Sequence, residues 1–173
     1  MAMMLPMDGL WAQAHDGVLS DKEVESLRDS AYVPTDRIVT YEKILNDRER
    51  MIDDLMAQRK HLTFGQDMHD LMDQFGAIAD ELNDNLDEYN QKHRDVRKVL
   101  PKLVEATEKW ATALRAPADD DAYKVVKKIA LDAVKDMHDI AAEMVASQEQ
   151  YFKEHPEAAK AEKAKRDNPH APQ

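Results

Sequence analysis

The chain has 173 residues, a formal net charge of −11 at pH 7 and 34% charged residues. Its length accommodates one domain with a sizeable core. The acidic excess disfavours binding to a nucleic-acid backbone or to an anionic membrane surface, since both need clustered lysine and arginine. Because cysteine is absent, disulfides, thiolate metal sites and cysteine nucleophiles are excluded. The four glycines and the abundant alanine, leucine, methionine and glutamate predict an all-α protein.

The N-terminal segment, residues 1–14, reads MAMMLPMDGLWAQA. It ends in an A-x-A pattern at positions 12–14, which is typical of a signal-peptidase cleavage site, although a basic segment is missing and Asp8 interrupts the apolar run. The segment is either the remnant of a secretory signal that begins upstream of Met1 or a loosely packed N-terminus. On this pattern we expect a periplasmic or secreted protein, with a cytoplasmic one as the alternative.

The first predicted helix is short. Ser20 and Glu23 have the spacing of a capping box, in which each side chain hydrogen-bonds the other residue's backbone N–H. The helix is expected to run to about Ala31, because Pro34 disfavours helical geometry at the residue before it.

A second helix is expected to begin with Thr35 or Asp36 as its cap and to run to about His61. Gly65 then supplies the backbone freedom for a turn into the next helix, so the two helices form an antiparallel hairpin. The inward face, which Arg48 and Arg59 interrupt, consists of Ile38, Tyr41, Leu45, Ile52, Leu55 and Met56.

A third helix over residues 66–115 is predicted by a nearly continuous apolar stripe with alternating spacings of three and four. The stripe is Leu71, Phe75, Ile78, Leu82, Leu86, Tyr89, His93, Val96, Leu100, Leu103, Thr107, Trp110 and Leu114. His93 and Trp110 are expected in the core. The stripe keeps its phase across Pro101, which favours one kinked helix over two separate ones.

The segment 116–121 ends the long helix, and its three aspartates are placed to cap the next one. That last long helix is expected to run to about Lys153. Its inward residues are Val126, Ile129, Ala133, Met137, Ile140, Met144 and Tyr151. The polar tail, residues 156–173, lacks large apolar side chains after its start, so we expect it to be disordered or a frayed helix that does not pack.

These elements predict an all-α fold, an elongated antiparallel helical bundle of three long helices plus a short N-terminal helix, over residues 15–155. The third helix would span about 75 Å at 1.5 Å per residue. The second helix would cover its first half, and the last helix would cover its second half.

Two enzyme-like site classes fit helical bundles, and neither matches this sequence. A ferritin-like di-iron site needs Glu-x-x-His, whereas Gln66, Asn90 and Lys135 stand three residues before the histidines of the long helices. His69 and His138 lack the lysine and small residue that usually follow the histidine of a phosphotransfer module. We therefore expect no catalytic residues and no cofactor.

Methionine and histidine cluster around the turn between the second and third helices. The candidate metal ligands are Met56, His61, Met68, His69 and Met72. Thioether sulfur and imidazole form a soft ligand set that suits Cu(I). The alternative is that the methionines fill irregular core near a turn and the histidines are solvated.

The turn itself, residues 62–66, reads LTFGQ. It resembles the L-T-x-x-Q motif of the Spy-type periplasmic helical proteins, which act as chaperones or as stress and metal sensors. The resemblance covers this turn alone, and it implies a hairpin-rich helical fold in an exported protein.

Function is predicted from what the helices bury and from the lack of converging polar motifs. We expect a non-enzymatic, exported helical-bundle protein that acts by surface binding, as a scaffold, a chaperone-like module or an oligomer subunit. Its partner would be a protein or a second copy of itself. Nucleic-acid binding and membrane insertion are not expected, the latter because no run of about 18 apolar residues occurs. The alternative is a periplasmic metal-binding or metal-sensing protein that uses the Met/His cluster.

Overall fold

A computed structural model of the chain describes residues 17–58, 60 and 62–169. Six α-helices lie in this part of the chain, and we number them α1 to α6 in order. Their bounds are Asp21–Asp29, Pro34–Ala57, Phe64–Gln91, Leu100–Arg115, Lys124–Glu154 and Pro156–Asp167. The prediction of an all-α helical bundle is confirmed. Residues 1–14, where the sequence predicts a signal remnant, lie outside the described residues.

Helices α2 to α5 form a four-helix bundle in which α2 contacts α3, α3 contacts α5, α5 contacts α4, and α4 contacts α2. Side-chain contacts fix the direction of each neighbouring pair. They are Tyr41–Glu81 and Arg48–Gln74 for α2 and α3, Phe64–Tyr123 and Asn83–Ala133 for α3 and α5, and Glu42–Lys102 and Glu49–Lys109 for α2 and α4. Helices α2 and α3 are therefore antiparallel, whereas α5 runs parallel to α3 and α4 runs parallel to α2.

The predicted continuous helix over residues 66–115 is wrong. Helix α3 ends at Gln91, and α4 begins at Leu100 and runs back antiparallel to α3. His93, which has a φ of 47°, lies in the loop where the chain turns. Pro101 stands in the first turn of α4, where an N–H would have no partner within the helix, so the ring is accommodated without a kink. Two helices of about 42 Å and 24 Å replace the single one of about 75 Å.

The core contains the apolar stripe that the sequence predicts for the first part of the long helix. Its buried members on α3 are Phe75, Ile78, Leu82, Leu86 and Tyr89. Trp110 is fully buried, as predicted. His93 is exposed, so its predicted place in the core is wrong, because the loop turns it outward onto the ring of Tyr151 at a centroid distance of 3.9 Å. Phe152, and not Tyr151, is the buried aromatic residue at this end of α5.

Helices α3 and α5 approach each other closely at small residues. A Cβ atom on Gly76 would lie 3.5 Å from the Ala130 Cα atom. One on Gly65 would lie 3.1 Å from the Cβ atom of Ala122, just before α5. This contact places Ala130 in the core and turns Ile129 to the edge, where it is 50% exposed. The prediction that Ile129 points inward is therefore wrong.

The N-terminal helices begin in different ways. The predicted capping box is confirmed: the Ser20 N–H donates to Glu23 Oε2 at 2.7 Å, and the Glu23 N–H donates to Ser20 Oγ at 3.4 Å. Helix α2 begins instead with Pro34 in its first turn and has no side-chain cap, so the predicted cap at Thr35 or Asp36 is wrong. Proline suits this position because its fixed φ is already helical.

Helix α2 ends at Ala57, before the predicted end at His61, which lies outside the described residues. Arg48, expected to interrupt the apolar face, is buried with 7% exposure. Its guanidinium donates to both carboxylate oxygens of Glu23 at 2.8 and 3.0 Å and to Gln74 Oε1 at 3.0 Å. A buried cation is tolerated here because its donors are paired.

The polar tail, residues 156–173, was expected not to pack, and this is wrong at one point. Helix α6 returns to the loop between α3 and α4, where Glu162 Oε2 accepts from Arg94 Nε at 2.8 Å and from the Asp95 N–H at 3.3 Å. Burial alone would raise the pKa of Glu162, but hydrogen bonds from Lys165 and Arg94 outweigh it and lower the pKa. The contact is polar, which explains why apolar patterning did not predict it.

Candidate functional site

The surface between α2 and α3 carries a groove of about 400 Å³ near the turn that joins these helices. We call it the α2–α3 groove. Its lining residues are Met51, Asp54, Leu55, Gln58, Asp67, Asp70, Leu71 and Gln74. In both helices they recur at spacings of three and four, which places each set on one face.

The α2–α3 groove combines apolar and acidic side chains. Its apolar residues are Met51, Leu55 and Leu71, and its carboxylates are Asp54, Asp67 and Asp70. Met51 is 48% exposed, and Leu62 in the neighbouring turn is fully exposed. Asp70 is oriented by the amide of Gln66, whose Nε2 donates to it at 2.7 Å. The groove is therefore an apolar depression with negative charge beside it.

A second groove, of about 360 Å³, lies between α4 and α5, and we call it the α4–α5 groove. Its lining residues are Thr107, Glu108, Ala111, Thr112, Arg115, Leu131, Val134, Lys135 and His138. The side chains of Thr107 and His138 meet in it, with Oγ1 and Nδ1 2.9 Å apart. Thr107 is buried, with 1% exposure, so the histidine is held against the wall of the groove by a fixed partner.

The α4–α5 groove also carries cationic side chains. Arg115 lies in the last turn of α4, where the helix dipole favours a cation. Lys135 Nζ donates to Asp139 Oδ2 at 2.6 Å, and this hydrogen bond raises the pKa of Lys135. Glu108 supplies a carboxylate on the α4 side of the groove. The charge of this groove is therefore mixed, in contrast to the acidic α2–α3 groove.

An acidic group lies on α3 and α5. Burial raises the pKa of Asp80, and the negative charges of Asp84 and Asp136 raise it further.

Within residues 17–58, 60 and 62–169, no group of three or more histidine, aspartate or glutamate side chains has an arrangement that could hold a metal ion.

The predicted Met/His metal cluster is divided among different environments. Met68 and Met72 are fully buried in the core, and Met56 is half-buried. His69 lies at the surface, with Nδ1 3.2 Å from Asp70 Oδ1. His61 lies outside the described residues. The buried methionines thus have core packing as their structural role, and the Cu(I) site stays a prediction from the sequence.

The sequence did not identify either groove. Met51 falls one helical turn before Leu55, so a second apolar strip beside the core face was a visible signal on α2. The pairing of Thr107 with His138 spans 31 residues and depends on how α4 and α5 pack. No local pattern encodes that contact.

Comparisons with protein-family models, curated proteins and solved structures found no match to this chain. Among the helices of the described residues, none is both long enough and apolar enough to span a membrane. The two grooves are therefore the features of this fold that bear on function.

Proposed function

We propose that the protein acts without catalysis, as an exported binding module whose α2–α3 groove takes a cationic amphipathic helix of a partner protein. The observation that carries this proposal is the apolar groove with three aspartates beside it, on a chain of net charge −11.

The apolar side chains of the groove supply the affinity. Fully burying one leucine or methionine side chain contributes about 1.5–3 kcal/mol, so a helix that covers Met51, Leu55 and Leu71 gains enough to offset part of the cost of association. Methionine is flexible and polarizable, and it adapts to different apolar partners. The groove spans about two helical turns, which matches apolar anchors at spacings of three, four and seven in a helical ligand.

The carboxylates supply the selectivity for charge. Lysine or arginine beside the apolar anchors of a partner would face Asp54, Asp67 and Asp70. Charge complementary to the groove speeds the encounter of the two proteins, and the negative charge of the groove disfavours acidic partners. Added salt screens both effects. An acidic partner would meet like charge both at the groove and across the whole chain.

Binding is tested with a helical peptide of leucine and lysine that carries its leucines at helical spacing, measured by fluorescence anisotropy against the full chain. Met51→Lys is expected to weaken binding at least about tenfold, since it places a cation in the apolar depression opposite the peptide's own lysines. Val39→Lys is the matched control: Val39 is 45% exposed on the same helix but does not line the groove, and we expect no change.

Two results would contradict this assignment. Equal effects of Met51→Lys and Val39→Lys would show that the peptide binds elsewhere. A leucine–glutamate peptide that binds as tightly as the leucine–lysine peptide would refute the cationic partner. Sedimentation of the protein alone tests whether a second copy of the chain occupies the groove. If the protein self-associates and Met51→Lys converts it to a monomer, the occupant is a second copy and not a partner helix.

Export is the part of this proposal that rests on the A-x-A pattern at positions 12–14. We expect the protein isolated from its native host to begin at His15 and to fractionate outside the cytoplasm. Amino-terminal sequencing of that material checks it, and an intact Met1 in the cytosolic fraction would refute it.

A further inference from the structure

The hydrogen bonds around Thr107 determine which nitrogen of His138 carries a proton. Thr107 Oγ1 lies 2.6 Å from the Val104 carbonyl oxygen and 2.9 Å from His138 Nδ1. A hydroxyl group has one hydrogen, and the carbonyl oxygen, which can only accept, takes it at the shorter distance. His138 Nδ1–H must then donate to Thr107 Oγ1, which accepts.

This assignment leaves the Nε2 atom of neutral His138 with a free lone pair. Because Thr107 is buried and fixed, it holds the imidazole in one orientation. The histidine itself is half-buried and lines the α4–α5 groove. The groove thus has, at one end, a hydrogen-bond acceptor whose tautomer is set by its neighbour.

The opposite end of the groove carries Arg115, about 12 Å from Thr107 along α4. Within the part of the chain that the structure describes, Arg115 makes no ion pair, so its guanidinium is available for a carboxylate, which it can bind bidentately. Between the two ends, Ala111, Leu131 and Val134 form an apolar strip of the wall. The polar side chains of Glu108, Thr112 and Lys135 line the groove beside this strip.

We infer that the α4–α5 groove binds a small organic acid that carries a hydroxyl group at the end away from its carboxylate. Arg115 binds the carboxylate, the apolar wall contacts the body of the molecule, and His138 Nε2 accepts from the hydroxyl. A volume of about 360 Å³ falls within the range of small-molecule sites. Glu108 on the α4 side disfavours a second negative charge, and Lys135 is already paired with Asp139, so the ligand is a monoanion. This inference is independent of the peptide-binding proposal, since it concerns a different pair of helices.

The probe is para-hydroxyphenylpropionate, which has a phenol at one end and a carboxylate at the other. We expect it to shift backbone amide resonances of α4 and α5 in a nitrogen–proton NMR titration of the full chain. Phenylpropionate, which lacks the hydroxyl, and para-hydroxyphenylpropionamide, which lacks the charge, are each expected to bind about tenfold more weakly. These ligand comparisons use the unmodified protein and so do not depend on how a variant folds.

Two substitutions assign the ends of the ligand. His138→Asn keeps an amide donor near the Nδ1 position but removes Nε2. It should weaken binding of the hydroxylated acid about tenfold and leave binding of phenylpropionate unchanged. Arg115→Gln should weaken binding of both acids about tenfold and leave binding of the amide unchanged. Arg50→Gln, at an exposed position of α2, is the control and should change the affinity for none of the three ligands.

The inference is overturned if the acids shift no resonance in α4 or α5, or if shifts are confined to other helices. It is overturned at His138 if phenylpropionate binds as tightly as its hydroxylated form. It is overturned at Arg115 if the amide binds as tightly as the acid.

Discussion

Replacing Trp110 with alanine is expected to lower the free energy of unfolding by about 3–5 kcal/mol. The indole is fully buried, its ring packs edge-on against Phe75 at a centroid distance of 6.0 Å, and its Nε1–H donates to Asn46 Oδ1 at 2.9 Å. One side chain thereby joins α4 to both α2 and α3. Because a domain is stable by about 5–15 kcal/mol, this loss is a large part of the total. Denaturant unfolding followed by circular dichroism measures it.

Two variants separate packing from hydrogen bonding at this position. Trp110→Phe retains most of the apolar volume but leaves Asn46 Oδ1 without its donor, and we expect it to cost clearly less than the alanine variant. Val39→Ala changes a 45% exposed side chain on α2 and should lie within about 0.5 kcal/mol of the unmodified protein. If Trp110→Ala cost no more than Val39→Ala, the packing of α4 into the bundle would be wrong.

The sequence predicted the helices and most of the core because both follow from local periodicity. The spacing from Phe75 to Tyr89 places one face of α3 inward regardless of which helix covers it. Capping is equally local, so the box at Ser20 and Glu23 was predictable. Helix α2 shows the limit of this approach: Arg48 lies on the buried face, and its distant partners Glu23 and Gln74 explain why.

The path of the chain after α3 was not predictable in this way. The apolar stripe stays in phase through His93 and Leu100, so periodicity indicates one helix. Pro101 lies in the region where the helices separate. From the pattern alone, however, a proline in the first turn of a new helix cannot be distinguished from one that kinks a continuous helix. The loop is held by distant side chains, Glu162 of α6 and a glutamine of α5. The α4–α5 groove depends on the same turn, since it forms only where the reversed α4 lies beside α5.

The glutamine of α5 that holds this loop is Gln148, and replacing it with leucine is expected to lower the free energy of unfolding by about 2–4 kcal/mol. Its side chain has 3% exposure. The Val96 N–H donates to Gln148 Oε1 at 3.2 Å, and Gln148 Nε2 donates to the Arg94 carbonyl oxygen at 3.0 Å. Leucine has a similar size but offers neither partner, and each buried backbone group left unpaired costs about 1–3 kcal/mol. Denaturant unfolding gives the loss, and faster hydrogen exchange at the Val96 amide locates it.

Gln150→Leu is the matched control, because Gln150 is exposed two residues along α5 and its Nε2 donates to Glu154 Oε1, at 3.0 Å, on the same helix. We expect a change within about 0.5 kcal/mol. Gln148→Glu tests the mechanism further. A carboxylate at this position can accept from Val96 but cannot donate to Arg94, and its burial should raise its pKa in the folded state. A raised pKa stabilises the fold only at low pH and loses that contribution as pH rises, so this variant should recover stability, relative to the unmodified protein, on acidification. Equal destabilisation by Gln148→Glu at acidic and neutral pH would mean that the amide acts by shape alone and does not hold the loop through its donor and acceptor.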